Sequence, residues 1–244
     1  MQPLKPGMEE IIFGLSGERL RRMREAAAVI EESYRALEKA GANVVGQCLA
    51  HQGTFYELEH YPKGDVFDEE SGSQYYYHAH RPESGEHGHF HCFLRADGMP
   101  PGVSPVPYSG GACRPEGDEA ICHLVAISMN SEGFPTHMFT TNRWVTDETF
   151  YPAADTLAMV DLFSVDHVYP CLAVNNWITA MLRLFWPQIR ELLKERDAVI
   201  RQWMLDHPKH DAFEDRNLDL ISIMEINVDE QAKLVERALI ARGD

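Results

Sequence analysis

The run Tyr75-Tyr-Tyr-His78-Ala-His80-Arg-Pro-Glu83-Ser-Gly-Glu86-His87-Gly-His89-Phe-His91-Cys-Phe93 holds five of the chain's twelve histidines within fourteen residues. They alternate: His78 and His80 are two apart, and so are His87, His89 and His91. In an extended strand, side chains two apart point to the same face, so each set forms a row. Pro82 and Gly85 lie between the sets and suit a turn, which would bring the two rows side by side as a hairpin. Gly88, Phe90, Cys92 and Leu94 then fall on the opposite face, as a core-facing row would. Packing alone gives little reason for such rows, because each buried imidazole nitrogen without a partner costs about 1–3 kcal/mol. A metal ion satisfies several at once, and histidine is the commonest metal ligand.

The candidate ligands are His78, His80, His87, His89, His91 and Glu86, with His137 from a later strand. Glu86 adjoins His87 and is also the candidate acid/base, while Glu83 lies in the turn and reads as solvated. Two histidines and a carboxylate with open positions form the arrangement of non-haem iron(II) oxygenases. Three histidines, or two with a glutamate, suit catalytic zinc. A divalent transition metal is therefore expected, iron(II) ahead of zinc. Cys92 is out of phase with the histidines, which argues against a thiolate site.

Other residues are weaker candidates. Arg143 follows the fourth strand and could pair with a carboxylate or phosphate of a substrate, with Trp144 as a pocket wall. His123 falls in alternation with Ile121, Val125 and Ile127 and reads as a hydrogen-bonded core residue. His51, His60, His167, His207 and His210 follow no pattern and read as structural or exposed.

The elements that must position these groups are predicted from periodicity. Ser16 can cap a helix over 16–40, where Leu20, Met23, Ala27, Ile30, Tyr34 and Leu37 recur at helical spacing, with Gly41 just beyond. Residues 43–49 and 54–59 read as short strands, and 61–73 as a polar loop. Strands are predicted at 74–80, 88–95, 121–129 and 135–142. The Gly- and Pro-rich stretch 96–118 is long enough to be a lid. From 172 to about 203 the pattern is helical with Pro187 interrupting it, and a strand at 218–227 precedes a helix at 228–242. The expectation is a single α+β domain: a helical segment over 1–42, a histidine-bearing antiparallel sheet or partial barrel over 43–150, and a mainly helical part over 151–244.

Composition narrows the function further. A net charge of −16 disfavours nucleic-acid binding and docking on anionic membranes. The N-terminus shows no signal-peptide pattern, and no stretch has eighteen uninterrupted apolar residues. Five widely and irregularly spaced cysteines form neither a disulfide framework nor a cysteine zinc motif, so a reducing cytoplasm is expected. Nucleotide and serine-hydrolase motifs are absent from the sequence.

His78-x-His80 with Glu86, followed by Gly133-Phe-Pro135-Thr-His137 and Asn142, resembles the cupin motif pair. That resemblance implies a β-barrel with its metal held by these histidines and the glutamate, although the glutamate is displaced and the run His87 to His91 has no counterpart in it. The Glu-His-Gly-His-Phe-His segment 86–91 also resembles uncharacterised bacterial proteins carrying the same core motif. The functional expectation is a metalloenzyme acting on a small organic substrate, an iron(II) oxygenase ahead of a zinc hydrolase, with a non-catalytic metal-binding protein as the other reading.

Overall fold

The computed structural model describes residues 7–79 and 85–243. His80, Arg81 and Glu83, which the sequence places in or beside the first histidine row, lie outside the described residues.

Six strands form one antiparallel sheet in chain order: β1 (Tyr61–Asp68), β2 (Ser73–His78), β3 (Gly88–Arg95), β4 (Ile121–Met129), β5 (Pro135–Thr141) and β6 (Leu220–Glu225). The sheet is open, with β1 and β6 as its edges. This corrects the cupin expectation, which requires strands distributed over a two-sheet jelly roll. The α+β architecture itself is as the sequence predicts: helices, an antiparallel sheet carrying the histidines, then helices.

One sheet face is apolar and packs against the helices. Tyr75, Tyr77, Phe90, Cys92, Leu94, Val125, Ile127, Met129 and Met138 are all fully buried there or nearly so. The layer above them includes α2 (Gly17–Lys39), α5 (Ala153–Val160), α6 (Leu172–Leu184) and α7 (Trp186–Asp206). Trp177 of α6 packs tilted against Phe90 at 5.8 Å, and the Tyr75 hydroxyl donates to Asn175 at 2.6 Å. Burying such aromatic rows on the helices commits the opposite face, by strand alternation, to the histidines.

The predicted Ser16 cap is used, and Asn227 caps the last helix. Ser16 Oγ accepts from the Arg19 N–H at 3.2 Å, and Asn227 Oδ1 accepts from Glu230 N–H at 3.0 Å to start α8 (Val228–Arg242). Pro187 opens α7 rather than kinking one long helix, because its missing N–H is not needed in a first turn.

Three local expectations are overturned. Residues 44–49 form a helix, α3 (Val44–Leu49), capped by Asn43, whose Oδ1 accepts from Gly46 N–H at 2.8 Å. The β-branched Val44 and Val45 suggest a strand, but the cap and burial of Val44, Val45 and Cys48 against the core decide for helix. Residues 54–59 are not a strand. The polar stretch from Tyr61 instead is β1, whose Val66 and Tyr61 are buried and whose register shifts between them. Short helices α1 (Met8–Phe13) and α4 (Arg143–Thr146) complete the chain.

The stretch 96–118 is tied down by hydrogen bonds along its length. Ser104 N–H donates to Asp155 at 3.1 Å, Val106 N–H to the Phe150 carbonyl at 2.8 Å, and the Tyr108 hydroxyl to Asp211 at 2.6 Å. These contacts make it a strap across the α5 and Phe213 region, in place of the lid the sequence suggests.

Candidate metal centre

The hairpin β2–β3 aligns the two histidine rows directly. His78 is the cross-strand partner of His89, and Tyr76 of His91. Residues facing each other across an antiparallel pair bring their side chains into contact, and the His78 and His89 rings meet edge to face at 4.6 Å. Their Nε2 atoms are 2.7 Å apart. The His91 ring is 4.8 Å from that of His89 and 5.1 Å from that of His78.

Among the described residues, His78, His89 and His91 form a group whose ligand atoms all lie within 4.8 Å of one another. Nitrogens around a tetrahedral zinc ion are about 3.3 Å apart, given bonds of about 2.0–2.1 Å. The His78–His89 pair at 2.7 Å is closer than that, and the group as a whole lies within 4.8 Å. His89 and His91 are 0% exposed and His78 is 9% exposed, so all three rings are buried. Tyr76, Phe139 and Phe93 surround it: Tyr76 is 5.2 Å from His91, Phe139 is 5.1 Å from His89, and Phe93 is 6.2 Å from His91.

Glu86 stands behind His89. Its Oε1 meets His89 Nδ1, and its Oε2 accepts from the Ser128 hydroxyl at 2.9 Å. A carboxylate on Nδ1 fixes the ring and leaves Nε2 as the basic nitrogen, the usual support of a metal-binding histidine. Glu86 is expected from sequence to be a ligand and an acid/base; the structure puts its carboxylate on His89 Nδ1. The signal for this was available in part, because Glu86 precedes His89 by one tight turn ahead of the strand.

His87 departs from its row. Its ring Nδ1 is 2.7 Å from the Tyr77 hydroxyl, and it stacks on Phe55 at 6.1 Å. Alternation governs side-chain direction only inside a strand, and β3 begins at Gly88. A Cβ at Gly88 would collide with the Tyr77 hydroxyl and the His78 carbonyl, so only glycine lets the hairpin close here.

His137 keeps its phase but is too far across the sheet. It pairs with Ser128 on β4 and Glu225 on β6, two strands from His89, about 10 Å at the usual strand spacing. Arg143 is buried in an ion pair with Glu214 at 2.5 Å and also reaches Asp147 at 3.4 Å. Trp144 donates to the carbonyls of Asp215 and Leu218 at 3.0 Å each. Both residues tie the end of β5 to the 211–218 segment rather than facing the histidines.

The residue the sequence reading underrates is His123. A register shift between Cys92 and Phe93 pairs Phe93 with His123, which turns His123 onto the histidine face. Its Nε2 lies 2.9 Å from His91 Nδ1. Burial holds His123 neutral, with its pKa pushed down to about 3, and the positive charge of Arg196 adds to this. Glu148 is buried behind the same strand; its Oε2 accepts from the His123 N–H at 2.7 Å. Burial raises its pKa to about 7, against the opposing pull of Arg196 and of the His123 N–H.

Beyond the site, no helix of the described residues is long and apolar enough to cross a membrane. No curated protein matches the sequence, and no solved structure matches the fold. A family model matches residues 24–226, which span the whole sheet and most of the helical layer. The chain belongs to the family described as "Domain of unknown function (DUF6969)".

Proposed function

We propose that the protein is a metalloenzyme in which His78, His89 and His91 hold a divalent transition-metal ion and a small organic substrate meets it on the exposed side of His78. The convergence of three imidazoles within 4.8 Å, two of them fully buried, carries this reading. Three protein ligands leave a coordination position open, the condition for activating water or oxygen at a substrate. With Glu86 engaged by His89, the ligand set is three histidines rather than two and a carboxylate. That set favours zinc and a hydrolytic reaction over the iron(II) oxygenase expected from sequence. Iron(II) oxygen chemistry is the second reading, supported by the aromatic enclosure of Tyr76, Phe93 and Phe139. The acidic surface, at a net charge of −16, suits neither nucleic acid nor an anionic membrane as partner.

Cobalt(II) titration followed by visible absorption tests the site. One equivalent should develop the intense d–d bands of a four- or five-coordinate nitrogen-rich ion, and His78→Ala, His89→Ala and His91→Ala should each lose them. Retention of the bands in all three variants would overturn the assignment.

A further inference from the structure

Each histidine of a metal site has a second nitrogen, and what that nitrogen meets decides which tautomer the ring adopts and how strongly it donates. For His89 this is Glu86. For His91 it is another imidazole: His91 Nδ1 and His123 Nε2 are 2.9 Å apart, and no proton donor but these two nitrogens is needed to bridge that distance. Two neutral imidazoles can hydrogen-bond only if one contributes N–H and the other a lone pair. If His91 used Nδ1 for a metal, the His123 ring would stand in the ion's place. The geometry therefore leaves Nε2 of His91 for the ion and Nδ1–H of His91 as the donor.

Resting on the metal-centre reading above, we propose that His123 is a positioning residue for His91. Its Nε2 accepts the His91 Nδ1–H, which fixes the His91 tautomer and aims Nε2 at the metal. Three features hold His123 in that role. The register shift at Cys92/Phe93 brings it to the histidine face. Its backbone N–H is anchored on the buried Glu148 carboxylate at 2.7 Å. Its ring is pinned between His91 at 4.9 Å and Phe93 at 5.1 Å. The role requires His123 to carry its own proton on Nδ1. The centre is then supported asymmetrically: a carboxylate stands behind His89 and a neutral imidazole behind His91. A neutral acceptor adds less negative charge than a second carboxylate would, which leaves the ion a stronger Lewis acid.

The test uses the full-length protein and zinc. In the unaltered zinc-loaded protein, long-range ¹H–¹⁵N correlation of the histidine side chains should show His91 bound through Nε2 with a protonated Nδ1, and His123 as the neutral Nδ1–H tautomer. Chelator competition should show His123→Phe weakening zinc by 10- to 100-fold. His123→Gln, which restores an acceptor near Nε2, should return most of the affinity and the wild-type cobalt(II) spectrum. A purely packing role predicts the reverse order, with phenylalanine tolerated and glutamine not. The proposal is overturned if His123 carries its proton on Nε2, if it binds zinc itself, or if His123→Phe holds zinc as tightly as the unaltered protein. The NMR result decides the matter even where a variant fails to fold. Unaltered protein that binds no zinc overturns the metal-centre reading as well, and so is distinct from a failure of His123 alone.

Discussion

His78 Nε2 and His89 Nε2 face each other at 2.7 Å across a directly registered pair of strands. Two lone-pair nitrogens at that distance repel unless a proton or a cation lies between them. A third imidazole, His91, sits two residues along the same strand. The sheet thus brings together three imidazoles that could hold a cation, set by register rather than by loop conformation.

His89→Ala should abolish metal binding while the protein keeps its fold, because the Phe90–Trp177 core lies on the other side of the sheet. Leaving Glu86 without its imidazole should lower stability by about 1–3 kcal/mol. His207→Ala, at the half-buried end of α7 where the ring stacks on Trp203, should leave metal binding unchanged. Zinc competition and thermal unfolding on the two variants check this.

Glu86→Gln keeps the size of the side chain and removes its charge. It should weaken metal affinity by about 10- to 100-fold with little change in unfolding temperature. A loss of stability without loss of affinity would show Glu86 to be a structural group that ties the start of β3 to Ser128 of β4.

Much of this site can be read from the sequence, and the reasons for the remainder are local. The period-two spacing of His89 and His91 survives because both lie within regular strand β3, and the β2–β3 register sets His78 opposite His89. His87 breaks the pattern one residue before β3 begins, where the Tyr77 hydroxyl captures its ring. His123 looks like a helix-facing residue by its phase with Val125 and Ile127. One register shift, invisible in the sequence, reverses its face. Similarly, Val44 and Val45 favour a strand, but the Asn43 cap and three buried residues select helix α3. Arg143 is drawn as a substrate-binding candidate by its type, yet Glu214, seventy-one residues away, claims it.

Arg143→Ala should therefore act on stability alone. Breaking a largely buried ion pair costs about 3–5 kcal/mol. Denaturant unfolding should show a loss of that order with unchanged zinc affinity. A variant that folds normally but loses turnover would instead return Arg143 to the substrate.

Glu148 gives the protein a signature in pH. Its carboxyl is raised from 4.5 to about 7 in the folded protein, so the native state binds its proton more tightly than the unfolded chain. Its contribution to stability is full below pH about 4.5 and is lost as pH rises through about 7, with a slope of at most about 1.4 kcal/mol per pH unit. Glu148→Gln, which keeps an acceptor for His123 N–H, should remove this dependence. Unfolding of metal-free protein between pH 4.5 and 7.5 should show the unaltered chain losing stability relative to the variant as pH rises. Parallel curves would contradict the assignment.

The most direct measurement is the metal content of untagged protein purified without chelators, by inductively coupled plasma mass spectrometry. The account predicts close to one first-row divalent ion per chain, zinc above iron, lost in His89→Ala. Protein that carries no such ion, and takes none up from micromolar zinc, iron(II) or cobalt(II), would contradict it and return the three histidines to the hydrogen-bond network of the sheet.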